Sequence, residues 1–192
     1  MSNRVKVEIE TGPGVAGRDV QIIGHSVLRG AKTRSPPKKG QPKITWITVS
    51  GGRVNELWKI TKANARKALV EGRKTIFGLD IFQNSVLKEE FDNNSMKTLI
   101  EDVERFFKKE LSSYHTYFFV SIIRAPLLYS TGHGLIVSEL NNQLAQHATT
   151  KGQIPCDPGR TLEKIKRTGC RTRQLIQHHR WREEVQGKGR GG

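Results

Sequence analysis

Apolar residues follow two rhythms along this chain. The first is the short, nearly unbroken run. Val20 to Gly24 is one, and its compactness predicts a buried strand. Ile44 to Gly52 (ITWITVSGG) is rich in β-branched residues and closes on a glycine pair, which predicts a strand and a turn. Lys74 to Asp80 (KTIFGLD) predicts a third strand. Thr116 to Ile123 (TYFFVSII) is apolar almost throughout, which predicts a fourth strand buried on both faces. Gln153 to Cys156 reads as a short fifth strand.

The second rhythm is the three- and four-residue spacing of an amphipathic helix. It is clearest from Ser95 to Leu111, where Leu99, Ile100, Val103, Phe106, Phe107 and Leu111 share a face. Asn55 to Gly72 shows a weaker face through Leu57, Ile60, Ala68 and Val70, with Gly72 as the stop. Ile136, Leu140 and Leu144 mark another helix, and Thr168 to Arg182 a last, strongly basic one. Strands and helices alternate, so the pattern predicts an α/β domain with a five-stranded parallel sheet between helical layers (α/β/α). Residues 1–18 read as an N-terminal extension, 19–182 as the domain, and 183–192 as a flexible basic, glycine-rich tail. In such sheets ligands gather at the carboxyl ends of the strands. The turns at Gly24–Ser26, Ser50–Arg53, Gly78–Asn84 and Arg124–Gly134 are therefore the places for chemistry.

Length and composition narrow the classes. The chain has 192 residues, enough for one domain with modest tails. The N-terminus lacks the apolar core of a signal peptide, and no run reaches the roughly 18 apolar residues of a membrane span. An intracellular, soluble, cytoplasmic protein is the expectation. Two cysteines, Cys156 and Cys170, form no CxxC pair, and the adjacent His178 and His179 cannot both face one ion, so no metal site is read. No cofactor is expected.

The predicted turns, taken in order, resemble the conserved blocks of the SGNH (GDSL-type) hydrolases. IIGHS is similar to the first block, an apolar strand ending Gly-Asp-Ser; ITVSGGRVNEL is similar to the second; and TIFGLDIFQNS sits where the family has Gly-x-Asn-Asp. IIRAPLL with SELNNQLAQH resembles the fourth strand and its following helix, and KIKRTGCRTRQLIQHH the final block. The resemblance covers about Val20 to Trp181 and implies a flavodoxin-like sheet.

It also implies a serine nucleophile, a histidine base oriented by an aspartate, and an oxyanion held by a glycine amide and an asparagine. Ser26 keeps the serine position, with His25 in place of the aspartate before it. Gly52 (or Gly51) keeps the glycine amide. The asparagine position falls on Leu79 or Asp80; leucine donates nothing, and an ionised aspartate repels an oxyanion. The Asp-x-x-His positions fall near Glu163 and Lys166, and lysine is no substitute for imidazole. His133, in STGHG, is the best remaining candidate base. Members of such a set act as a unit, so these losses imply a fold without its chemistry.

Charge gives the other half of the reading. There are 33 Lys and Arg against 18 Asp and Glu, a net of +15. The surplus is localised: Pro158 to Gly192 carries ten basic residues against three Glu, and Arg29 to Lys43 six basic residues with no acid. Surfaces of that kind take polyanions through counterion release. The candidate nucleic-acid-binding residues are Lys38, Lys39, Arg53, Arg66, Lys166, Arg167, Arg171, Arg173, Arg180, Trp181 and Arg182. Trp181, flanked by two arginines, offers an indole for stacking on a base. A broken catalytic set on a basic SGNH-like domain is similar in kind to the RNA-binding C-terminal domain of Oskar, an insect germ-plasm protein. The expected function is RNA binding without catalysis. The alternatives are a serine esterase or deacetylase using Ser26, and a scaffold for acidic protein or lipid surfaces.

Overall fold

The structure is a computed structural model of the chain and describes residues 4–10, 19–26, 43–87, 92–122, 133–153 and 155. All of these lie in one compact unit, Met1–Asp157; the chain's other unit, Pro158–Gly192, falls outside the described residues. With it fall the basic final helix, the tail, Lys166 to Arg182 and the candidate positions at Glu163 and Lys166. Lys38 and Lys39 are outside as well.

The described elements run β1 (Val5–Glu10), β2 (Asp19–His25), β3 (Lys43–Val49), α1 (Val54–Val70), β4 (Thr75–Asp80), α2 (Gln83–Leu87), α3 (Asn93–Arg105), β5 (Thr116–Phe119) and α4 (His133–Thr150). The α/β class holds, and the sheet has five strands in the order β1-β3-β2-β4-β5. It differs from the all-parallel reading in one strand. β2, β3, β4 and β5 are parallel, but the fifth strand is β1, which pairs antiparallel to β3 with Val5 opposite Val49. The sheet is therefore mixed. β1 sits at an edge, where Val5 and Val7 remain 51% and 57% exposed. Gln153 and Pro155, inside the stretch read as a fifth strand, carry no strand assignment.

α1 forms because Leu57, Trp58, Thr61, Ala65 and Ala68 recur every three to four residues on its buried side. It stops at Gly72, whose φ of +65° suits a residue without Cβ. α3 starts where the Asp92 carboxylate accepts from the Ser95 N–H at 2.7 Å, an N-cap that Asp is built to make. Where the sequence reads one continuous helix to Leu111, α3 instead widens into a π-helical turn at Phe106–Glu110. Ser112 and Ser113, both at positive φ, then break it.

These helices meet the same face of the sheet. Ile23, Val49, Phe77, Leu79 and Phe119 project from the strands into one core with Leu57, Met96, Val103 and Leu140. Trp58 of α1 packs edge-on to Phe106 at 5.3 Å, and Phe107 bridges Phe77 and Tyr117. α4 joins through His147, stacked on Tyr117 with Nε2 3.1 Å from the phenol oxygen. Hydrophobic burial along this seam dominates the folding free energy of such a domain. On the opposite face Gly78 admits the side chains of Ile22 and Phe118, which approach so closely that a Cβ there would lie 2.5 and 2.7 Å from them.

Candidate functional site

The strand order creates the site. The chain goes from β2 to β3 on one side, then returns to place β4 on the other side of β2. The carboxyl ends of β2 and β4 therefore flank a topological switch point, where open α/β sheets bind ligands. Three short segments end there: His25–Ser26 after β2, Ser50–Arg53 after β3, and Asp80–Ser85 after β4.

Ser26 follows β2 directly and is half-buried. Its neighbour His25 is not solvent-facing. The ring is fully buried, on the core side with Ile23, and neither nitrogen completes a hydrogen bond of good geometry. Desolvation drives its pKa down to about 4, only partly countered by the backbones of Ile81 and Gly52. A histidine so held is neutral at pH 7 and a feeble base.

Asp80 closes β4, paired across to Gly24. It is 2% exposed, and its Oδ2 has no hydrogen-bond partner. Burial pushes the carboxyl up to about 7, against the smaller opposing effect of the His25 backbone N–H that it accepts. By its residue type alone Asp80 is expected to be ionised. Burial corrects that: near neutrality a large part of it carries a proton, and a protonated carboxyl donates rather than repels.

The turn after β3 is fixed from outside. The Gly52 N–H reaches back to the Val49 carbonyl at 3.3 Å, and the Gly52 carbonyl accepts from Asn84 Nδ2 at 3.1 Å. A Cβ at Gly52 would stand 3.0 Å from Val49, so glycine serves packing here. Ser85 Oγ accepts the Val54 N–H at 3.1 Å and thereby caps α1 from α2. Sequence reading passes over this α2 clamp, although the Gln-Asn-Ser run after Phe82 is its visible trace.

Ser26, Gly52 and Asp80 thus share one edge, and Arg53 closes the turn that carries Gly52. His133 is the first residue of α4. Arg53 is exposed just before α1. Arg66 lies three-quarters of the way along α1, paired with Glu110 at 2.6 Å. Among the described residues no group of three or more His, Cys, Asp or Glu is disposed to hold a metal ion. None of the described helices is long and apolar enough to cross a membrane.

No family model and no curated protein matches the chain. Among solved structures it is similar to a crystal structure of a member of the lipolytic protein G-D-S-L family from Veillonella parvula DSM 2008, with 17% sequence identity and a TM-score of 0.55. The match covers 79% of this chain and 84% of that one. At that identity the likeness speaks for the fold, which is that of the SGNH (GDSL-type) hydrolases.

Proposed function

We propose that the chain is a non-catalytic domain of SGNH fold that binds RNA through basic segments. The distribution of charge carries this reading. The described residues hold 15 of the 33 Lys and Arg and 12 of the 18 Asp and Glu, a net of +3. The remaining +12 of the +15 falls on the rest of the chain, which includes Lys38, Lys39, Lys166, Arg167, Arg171, Arg173, Arg180 and Arg182. A nearly balanced core with a concentrated cationic surplus elsewhere suits a backbone-binding role, because each phosphate neutralised releases counterions.

The state of the switch point supports the absence of catalysis. The imidazole adjoining Ser26 is buried and of low basicity. The Gly52 N–H is engaged by Val49. An acyl-transfer site needs the reverse: an accessible base and a free amide.

Titration with a fluorescent single-stranded RNA at several salt concentrations tests the reading. The expected result is binding whose log affinity falls linearly with log salt. No binding at low salt, or binding indifferent to salt, ends it. A parallel assay with short-chain aryl esters compares wild type with Ser26→Ala; equal background rates are expected, and hydrolysis lost with the serine would establish the esterase instead.

A further inference from the structure

We infer that the outer face of α1 is where the folded unit itself receives the phosphates of an RNA strand. This rests on the RNA-binding reading and gives it a place within the described fold.

The described unit has one strongly basic stretch. Residues 53–74 hold seven Lys and Arg against Glu56 and Glu71, a net of +5, so the other described residues sum to −2. At 3.6 residues per turn, Lys59, Lys62 and Arg66 fall within about 60° of one another, on the side of α1 away from Leu57, Thr61 and Ala68. They span about 10 Å of helix.

The neighbouring acids are already matched. Glu56 pairs with Arg4 at 3.2 Å, and Glu71 with Lys67 and Arg73. Glu110 pairs with Arg66. No carboxylate of the described residues lies within ion-pair distance of Lys59 or Lys62. Lys62 instead sits 5.5 Å from the centre of the Trp58 ring, and Arg66 lies 5.3 Å from that of Phe106. Two rings thus hold the cations up without consuming their charge. The Arg66–Glu110 pair is more than half exposed on both sides, so exchanging that carboxylate for a phosphate costs little.

The same rings limit what this face can read. Trp58 is 7% and Phe106 2% exposed, so neither offers a surface for a base to stack on. Recognition here is of backbone, without sequence preference.

The test compares full-length wild type with Lys59→Gln/Lys62→Gln/Arg66→Gln in the salt titration with single-stranded RNA. Each phosphate contact contributes about 0.7 to the log–log slope, so the triple variant should lose about 2 of it. Because Lys62 and Arg66 also pack on the Trp58 and Phe106 rings, the single variant Lys59→Gln serves as the packing-neutral comparison and should lose about 0.7. Thermal unfolding confirms that the variants are folded. Folded variants with the wild-type slope, or with affinity reduced equally at every salt, overturn the inference while RNA binding stands. A wild type that does not bind RNA at low salt removes both.

Discussion

The His25 backbone N–H donates to the Asp80 carboxyl across neighbouring strands, and the two side chains hold opposite abnormalities of charge. His25 titrates near 4 and Asp80 near 7, so burial keeps both neutral where each would normally be charged. One pair of strand ends therefore buries a base and an acid without burying a net charge.

Their proton linkages oppose each other. His25 falls from an ordinary 6.5 to about 4, so its neutral form is favoured on folding, and the stability it gives is lost as pH falls from 6.5 through 4. Asp80 rises from 3.8 to about 7, so its protonated form is favoured, and its stability is lost as pH rises from 3.8 through 7. Between pH 4 and 6.5 the slopes nearly cancel. Asp80→Asn should leave the His25 slope, with stability rising with pH by roughly 3 kcal/mol over that window. His25→Gln should leave the opposite slope. Urea unfolding at several pH values checks this, and parallel profiles for wild type and both variants would refute it.

Asn141 of α4 makes both backbone hydrogen bonds of Ile122, accepting from its N–H at 2.7 Å and donating to its carbonyl at 2.9 Å. It continues the pairing after β5 has ended. Asn141→Ala should destabilise the fold by about 2 kcal/mol, since two buried backbone groups lose their partners. Asn141→Leu restores volume but not pairing, and should not rescue. The urea midpoint reads both.

Gly78 is enclosed by Ile22 and Phe118. Gly78→Ala should cost about 1–3 kcal/mol through overpacking. Combining it with Phe118→Leu should recover part of that loss, a coupling visible in a double-mutant cycle by thermal unfolding. Strict additivity would rule out the steric explanation.

Ser85→Ala removes the acceptor for the Val54 N–H and should cost about 1 kcal/mol. Asn84→Ala frees the Gly52 carbonyl. Amide exchange should quicken at the first turn of α1 in the serine variant and around Gly52 in the asparagine variant. Exchange unchanged at both places would show that α2 does not clamp that turn.

The amino-acid pattern determined the alternation of strands and helices, because each element's apolar period is local. TYFF, TIFGLD and the Leu99–Val103 face announce themselves within a few residues. β1 carries the same kind of signal, Val5, Val7 and Ile9 alternating with Lys6, Glu8 and Glu10, although the expectation for residues 1–18 is an N-terminal extension. That it pairs with β3, and antiparallel, is decided between segments nearly 40 residues apart. The site divides likewise. Ser26, Gly52 and Asp80 can be named from sequence, but their chemical states cannot. A carboxyl's charge depends on how much water surrounds it, and the residues that strip water from Asp80 and His25 come from three different strands and the turns after them. Only the tertiary fold brings that low-dielectric environment together, and with it the neutral acid, the weak base and the engaged glycine amide.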